Sequence, residues 1–132
     1  MNQIYLYIKS DDSLQFYPQN TPNDFTVELP EIINLKGKWA IALLDIYIKD
    51  TLTDPIYILT DICEQSVQNG NLNPILKVIY PDCVHFSNLH YIPVKVSSLK
   101  RISIYIRGGS TGKDPILTNI VNLSLHLVAQ DE

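Results

Sequence analysis

Residues 108–113, Gly-Gly-Ser-Thr-Gly-Lys, are the first place where residue types and spacing suggest chemistry, because they resemble a phosphate-binding loop. Such a loop needs a glycine, four intervening residues, a Gly-Lys pair and then a serine or threonine that binds magnesium. Here Arg107 stands in place of the first glycine and Asp114 in place of the hydroxyl residue. The segment also leads toward a predicted strand and not toward a helix N-terminus that could hold phosphate. We therefore interpret it as a hairpin turn.

A second candidate site combines Cys83, His85 and His90, residue types that bind zinc, within one loop. A closed structural zinc site takes four ligands in paired spacings, and no second pair follows in this sequence. His126 lies on the polar face of the last predicted strand and has no evident partner. We expect neither a metal site nor a cofactor.

Four carboxylates, Asp11, Asp12, Asp54 and Asp61, could in principle act as acid and base. Nothing in their spacing brings two of them into one cleft, and loop carboxylates are usually solvated. The sequence contains neither a Gly-x-Ser-x-Gly elbow nor a His-Glu-x-x-His motif. We do not expect an enzyme, and we assign no catalytic residue.

A sugar site would combine an exposed aromatic ring with converging amides or carboxylates. The best candidate is the loop containing Asn69, Asn71 and Asn73, with Tyr80 close by in the sequence. Asparagine-rich loops are ordinary turns far more often than binding sites, because asparagine tolerates turn conformations. The sequence therefore gives only weak support to carbohydrate binding.

The elements that would position these residues are strands. Isoleucine is the commonest residue type, there are eight tyrosines, and alanine occurs only at positions 40, 42 and 129. β-Branched and aromatic residues favour strands, whereas alanine favours helices. A chain of 132 residues has room for one domain, covering residues 1–132. We expect a single all-β domain.

No run approaches the roughly 20 apolar residues that cross a bilayer, and no basic region precedes the apolar residues of the N-terminus. We expect a soluble, non-secreted chain without membrane insertion. Cys63 and Cys83 are interpreted as two free buried thiols, with a single bridge between them as the alternative. The sequon at Asn122 would matter only on a secretory route, and it falls inside a predicted strand.

The charges are distributed unevenly along the chain. Residues 1–66 hold 4 Lys/Arg and 10 Asp/Glu, a balance of −6, whereas residues 67–132 hold 6 and 4, a balance of +2, which together give the net charge of −4. Five of the basic residues of the second half, Lys95, Lys100, Arg101, Arg107 and Lys113, are spread over two strands and a loop. A nucleic-acid footprint is denser and more basic, so we expect no specific nucleic-acid partner.

Residues 23–49 contain the two strands around which the fold is organised. Apolar and polar residues alternate over residues 24–29, which is typical of a strand with one buried face, and Pro30 is expected to end it. Gly37 closes the following loop, where it can adopt a positive φ. Trp39 then begins a run to residue 48 that is apolar on both faces, as in a central strand. One face would carry Trp39, Ile41 and Leu43, and the other Ala40, Ala42, Leu44, Ile46 and Ile48.

Six further runs bring the number of predicted strands to eight. Pro93 indicates an edge strand or a bulge in one of them. Residues 30–35 and 114–121 are the best candidates for helices, but both are too short to alter the fold class. The six runs cover residues 4–9, 56–63, 75–80, 91–96, 102–107 and 123–128. Eight strands with frequent turns predict an eight-stranded antiparallel β-sandwich.

Three strings in the first 50 residues carry a family resemblance. They are Ile-Lys-Ser-Asp-Asp-Ser-Leu-Gln-Phe-Tyr-Pro-Gln-Asn-Thr at 8–21, Phe-Thr-Val-Glu-Leu-Pro at 25–30, and Leu-Lys-Gly-Lys-Trp-Ala-Ile-Ala-Leu-Leu-Asp-Ile at 35–46. Together they resemble the minor capsid, or penton, proteins of Polinton/Maverick elements and adintoviruses. Family members often carry a glutamate after the tryptophan, where this chain has Ala40.

The resemblance implies a single jelly roll, in which the first strand lies beside the last and the fourth beside the fifth. It also implies a structural protein of the virion, assembled inside the host cell. Five copies would surround a capsid vertex and contact the neighbouring major capsid protein. A cyclic ring is built from heterologous contacts, in which one side of each subunit meets the other side of its neighbour.

Two features of the sequence could contribute to such contacts. The acidic first half and basic second half could select the register of a ring, which makes Lys95, Arg101 and Arg107 candidate contact residues. Loops 69–73 and 108–114 are candidate contact tips, since loops at the ends of sandwiches often carry recognition. Trp39 is assigned to the core. The alternatives are another small virion component, such as a cement or internal protein, or a carbohydrate-binding jelly-roll module.

Overall fold

The computed structural model describes residues 2–68, 71–81, 89–108 and 114–130, and within them the chain forms ten strands. They are β1 (Gln3–Lys9), β2 (Asp24–Asn34), β3 (Trp39–Tyr47), β4 (Ile56–Thr60), β5 (Ser66–Gln68), β6 (Asn71–Asn73), β7 (Ile75–Ile79), β8 (Ile92–Pro93), β9 (Ser98–Gly108) and β10 (Asn122–Ala129).

Eight of these strands form two four-stranded antiparallel sheets that pack face to face. Sheet A has the order β1-β10-β3-β8 and sheet B the order β2-β9-β4-β7, while β5 and β6 pair as a separate hairpin. The first strand, β1, lies beside the last, β10, as expected. The fourth and fifth predicted strands correspond to β4 and β7, and these two strands pair, as expected. The predicted all-β sandwich is confirmed.

The core lies between the sheets and follows from the alternation of inward and outward residues along strands such as β9 and β10. In β9, Ile102, Ile104 and Ile106 are fully buried, and in β10 the leucines at 123, 125 and 127 take the same role. Burying a side chain of this size contributes about 1.5–3 kcal/mol relative to leaving it exposed. Trp39 is also buried in this core, as predicted, and its indole N–H donates to the Lys36 carbonyl oxygen at 2.9 Å.

A bulge in β3 changes the predicted faces of this strand. Leu125 pairs with Leu43, but Ser124 pairs with Asp45, so one extra residue, Leu44, stands between these two positions. One inserted residue reverses which side chains face inward. Ile46 and Ile48 therefore pack against the core with Trp39, Ile41 and Leu43. Their predicted place beside Ala40 and Ala42 was wrong.

Pro30 does not end the second strand, and the helix considered for residues 30–35 is absent. The strand continues to Asn34 with a register shift between Glu28 and Ile33. Proline cannot donate a ladder hydrogen bond and is tolerated at such irregularities. Gly37 has a φ of 82°, as its predicted turn requires. Residues 114–121 also form no helix.

Two other predicted strands are shorter than expected. The run at 56–63 pairs only as far as Thr60, although Cys63 forms an isolated bridge with Val94. The run at 91–96 contributes only Ile92 and Pro93, which pair with β3 at the edge of sheet A. Pro93 thus occupies an edge strand, as its missing donor indicated.

Candidate interaction surfaces

The outer face of sheet B is covered by a polar network that fixes the connection between β1 and β2. The Tyr17 hydroxyl donates to Glu28 Oε1 at 2.6 Å and accepts from Arg101 Nε at 3.0 Å. The bond to Glu28 raises the pKa of Tyr17, and the bond from Tyr17 lowers the pKa of Glu28. Lys100 adds a hydrogen bond to the Leu29 carbonyl oxygen at 2.9 Å.

The same connection is held further along by reciprocal amide bonds. The Asn20 side chain accepts from the Thr26 backbone N–H at 3.1 Å and donates to the Thr26 carbonyl oxygen at 2.9 Å. The side-chain oxygens of Thr26 and Ser103 lie 2.7 Å apart, so β2 and β9 are also joined on this outer face. The polar groups here are largely satisfied within the chain, which leaves them little capacity for a partner.

Ion pairs within the chain occupy two of the three cations that were predicted to contact a neighbouring subunit in a ring. Arg101 pairs with Glu28, and Arg107 pairs with Asp24 while lying over the Tyr105 ring. Lys100, Arg101 and Arg107 of the second half are therefore already paired with Glu28 and Asp24 of the first half, on the outer face of sheet B. Among the three candidate contact cations, Lys95 remains an exposed side chain outside this network.

The outer face of sheet A is aromatic and open. His126 has three partners, so the interpretation that it lacks one was wrong. Its ring stacks on the Tyr5 ring, with centroids 4.4 Å apart. Its Nδ1 lies 2.8 Å from the Tyr91 hydroxyl, and its Nε2 lies 3.0 Å from Gln3 Oε1. Sequence reasoning missed these because they come from β1 and from the segment before β8. Tyr7 and Tyr47, on the same face, are 74% and 59% exposed.

The sandwich has two open sides, where the edge strands of the two sheets face each other. On one side lies the β1/β2 groove, with a volume of about 500 Å³ and walls that include Ile4, Leu6, Leu29 and Ile33. On the opposite side lies the β7/β8 groove, with a volume of about 380 Å³ and walls that include Ile75, Leu76, Val78 and Ile92. Edge strands with apolar neighbours are the places where a sandwich can pair with another chain.

Asp50 anchors the segment before β10 to the end of β3. Its carboxylate accepts from the backbone N–H of Thr118 and of Asn119 and from both side chains, at 2.9–3.3 Å. Loss of hydration acts to raise the pKa of Asp50, but these hydrogen bonds outweigh it and lower the pKa. Asp50 was not among the predicted candidate residues, since its partners lie 68 positions away.

The carboxylates considered as acid and base have separate roles. Asp12 Oδ2 accepts from the Lys9 N–H at 2.8 Å, and Asp61 Oδ1 accepts from the Ser103 N–H at 3.0 Å. Asp11 lies in the same turn as Asp12, and Asp54 is an exposed residue of the connection between β3 and β4. Asp12 and Asp61 therefore serve as acceptors of backbone hydrogen bonds.

Several of the remaining candidates lie outside the described residues. They are Cys83, His85, Asn69 and loop positions 109–113. His90 is described and is an exposed residue of the β7/β8 groove. Cys63 is a free, buried thiol, and burial raises its pKa to about 11. In the part of the chain that the structure covers, no three His, Cys, Asp or Glu side chains are grouped to hold a metal ion.

None of the described segments forms a helix with the length and apolar character of a membrane span. No protein-family model matches the chain, and a comparison with curated proteins found no significant similarity.

Proposed function

We propose that this chain is a structural virion protein, a single jelly roll that forms homopentamers at capsid vertices and contacts the major capsid protein. The observation that carries the proposal is the strand order of the two sheets. The eight strands of sheets A and B can be lettered B to I along the chain. The strand order of sheet A is then B-I-D-G, and that of sheet B is C-H-E-F. Jelly rolls with two sheets of this kind are typical of viral capsid and lectin domains.

The sequence of the first 50 residues supports the capsid protein over the lectin. The strings that resemble penton proteins include residues 25–30 of β2, the Gly37 turn and most of β3, and these strands contribute buried residues to the core from both sheets. The two apolar grooves at the sandwich edges give such a subunit surfaces for neighbours on opposite sides. Contacts between opposite sides of identical subunits are heterologous, and they close into a ring when the rotation between copies permits closure.

One observation favours carbohydrate binding as a second candidate. Tyr7 and Tyr47 are exposed on the outer face of sheet A, separated by β10, whose Asn122 and Ser124 stand opposite Tyr47 and Tyr7. Aromatic rings beside amide and hydroxyl groups suit sugars. Aromatic residues are equally enriched at protein interfaces, so this face also fits a capsid subunit.

Mass under native conditions separates the two candidates. A vertex protein is expected as a ring of five 15.0-kDa chains, about 75 kDa in all. A 15.0-kDa monomer that binds a glycan array through Tyr7 and Tyr47 would favour the carbohydrate-binding module and contradict the vertex protein.

A further inference from the structure

The backbone of β1 carries a row of hydrogen-bonding groups along one edge of sheet A. This strand is the first in the order of the sheet and has β10 on one side. Alternate residues of an antiparallel strand bond to the neighbour on one side, and the residues between them direct their N–H and C=O groups to the other side. The Ser10 N–H donates to the Val121 carbonyl oxygen at 2.9 Å, so the backbone groups of the even-numbered residues point to β10. The residues whose backbone groups point away from β10 are Gln3, Tyr5, Tyr7 and Lys9.

This edge of β1 is closed at one end by the turn that follows the strand. The Lys9 N–H donates to Asp12 Oδ2 at 2.8 Å, and the Lys9 carbonyl oxygen accepts from the Asp12 N–H at 3.1 Å. Within the described residues, no such partner meets the outward backbone groups of Gln3, Tyr5 or Tyr7. These three residues therefore form an open stretch of strand edge.

The edge of β2, on the same side of the sandwich, is closed by the connection that precedes it. The Asn20 side chain bonds to both backbone groups of Thr26, as a neighbouring strand would. The Ser13 hydroxyl oxygen accepts from the Glu28 N–H at 2.9 Å. Edges that are covered in this way resist pairing with another chain. Of these two edges, only that of β1 is available to a further strand in the part of the chain that the structure describes.

The β1/β2 groove lies beside the open edge of β1. Its described walls include Ile4 and Leu6 of β1, with Leu29, Ile32 and Ile33 of β2, and Ile32 is 61% exposed. A strand added to β1 would place every second side chain over this groove and the others on the outer face of the sheet. When a peptide adds to a sheet edge, main-chain hydrogen bonds give affinity and pockets for alternate side chains give specificity.

We propose that β1 binds an extended, antiparallel segment of a different protein. Its backbone pairs with Gln3, Tyr5 and Tyr7, and its alternate apolar side chains fill the β1/β2 groove. The β1 strand of a second copy would leave the groove unfilled, because its inward side chains pack against that copy's own core. Glu31 lines the groove and favours a lysine or arginine in the segment. In the proposed vertex the segment would belong to the major capsid protein, and this identification alone rests on the proposed function.

Amide hydrogen exchange of the full chain, measured by nuclear magnetic resonance, tests whether the edge is open. In the free chain, the amides of Tyr5 and Tyr7 are expected to exchange at least about tenfold faster than those of Leu6 and Ile8, which bond to β10. The probe is the synthetic peptide acetyl-Lys-Thr-Val-Thr-Val-Thr-Lys-amide, whose valines would enter the groove. At saturation, the peptide is expected to slow the exchange of Tyr5 and Tyr7 at least about tenfold.

Two methylated peptides test the backbone pairing by isothermal titration with the wild-type chain. In an antiparallel pair, the N–H groups of the threonines point to β1, and those of the valines point away from it. A methyl group on the nitrogen of the central threonine is therefore expected to weaken binding at least about tenfold. The matched control carries its methyl group on the nitrogen of one valine and is expected to bind within about threefold of the unmodified peptide.

A variant of the chain tests the same bonds from the other side. Y7P removes one outward N–H, and proline is tolerated in an edge strand where this group faces solvent. Binding of the unmodified peptide is expected to weaken at least about tenfold, whereas the control Y7A keeps the N–H and is expected to lose less than about threefold. Circular dichroism shows whether each variant is folded. Should Y7P unfold, the methylated peptides still decide with the wild-type chain.

The outcomes separate this pairing from the proposed function. Failure of the unmodified peptide to bind, or binding of the threonine-methylated peptide as tightly as the valine-methylated one, overturns the pairing. Protection of Tyr5 and Tyr7 in the free chain at every concentration also overturns it, and protection that is lost on dilution shows that a second copy occupies the edge. A pentamer that does not bind the peptide overturns the pairing alone, and a monomer that binds it overturns the vertex ring alone.

Discussion

Asp50 illustrates how single polar residues in this protein hold irregular segments against the sheets. Its carboxylate accepts several hydrogen bonds from Thr118 and Asn119 and so fixes the approach to β10, the strand between β1 and β3. Tyr17 does the same for the connection between β1 and β2 through Glu28 and Arg101. At the scale of the residue, polar chemistry here is structural.

Replacing Asp50 by asparagine should change how stability depends on pH. The folded-state pKa of Asp50 lies below its unfolded-state value of about 4, so its contribution is present above that value and is lost as the pH falls through the folded-state pKa. D50N should therefore be less stable than wild type at about pH 7, with a smaller difference at about pH 3. Urea midpoints measure both differences. D54N, an exposed carboxylate in the same connection, is the control, and an equal loss at both pH values would contradict the assignment.

Cys63 should resist alkylation in the folded protein. The thiolate is the reactive form, and burial raises the pKa of this thiol to about 11, so little thiolate forms at neutral pH. Iodoacetamide labelling of a C83S variant, followed by mass spectrometry, reads Cys63 alone. Labelling is expected only in urea. Rapid labelling of Cys63 in the folded chain would contradict the prediction, because it would show that the thiol is accessible to the reagent.

The inward face of a strand was predictable where apolar and polar residues alternate regularly. It was not predictable where consecutive residues are both apolar. In β9, apolar Ile102, Ile104 and Ile106 alternate with polar or aromatic residues, and all three are buried, as this alternation indicates. In β3, Leu43 and Leu44 are both apolar, so the sequence is compatible with a bulge or with regular pairing. The partner strand decides, because the polar Ser124 must stand opposite Asp45 on the outer face.

Deleting Leu44 should therefore preserve the fold. Without this residue, Leu43 and Asp45 become neighbours, and the pairs Leu43–Leu125 and Asp45–Ser124 follow a regular ladder with all inward residues retained. We expect cooperative unfolding within about 2 kcal/mol of wild type. Deletion of Ser103 from the regularly paired β9 is the control and should abolish folding. Loss of the folded state in the Leu44 deletion would mean that the bulge itself is required.

The candidate surfaces were only partly predictable, because they depend on which edges meet. Tyr5, Tyr7 and Lys9 alternate with apolar residues along β1, and all three are exposed, as this alternation indicates. Nothing in the sequence placed Tyr91 against His126, or Ile32 at a groove beside β1. Pro30 followed by Glu-Ile-Ile was the available signal, since proline in a strand indicates an edge or an irregularity.

The whole molecule has surfaces of different character. The outer face of sheet B is closed by its own hydrogen bonds and ion pairs, whereas the outer face of sheet A carries exposed tyrosines. Each of the two open sides carries an apolar groove. A subunit with two different grooves on opposite sides suits a cyclic assembly better than a two-fold dimer, whose single interface is self-complementary.

The most direct test of the proposed vertex protein is electron microscopy of the purified chain, with class averages computed without imposed symmetry. A vertex protein predicts rings of five lobes, in which each lobe contacts two neighbours through opposite sides. Averages that show only single sandwiches, or particles with two-fold symmetry, would contradict it.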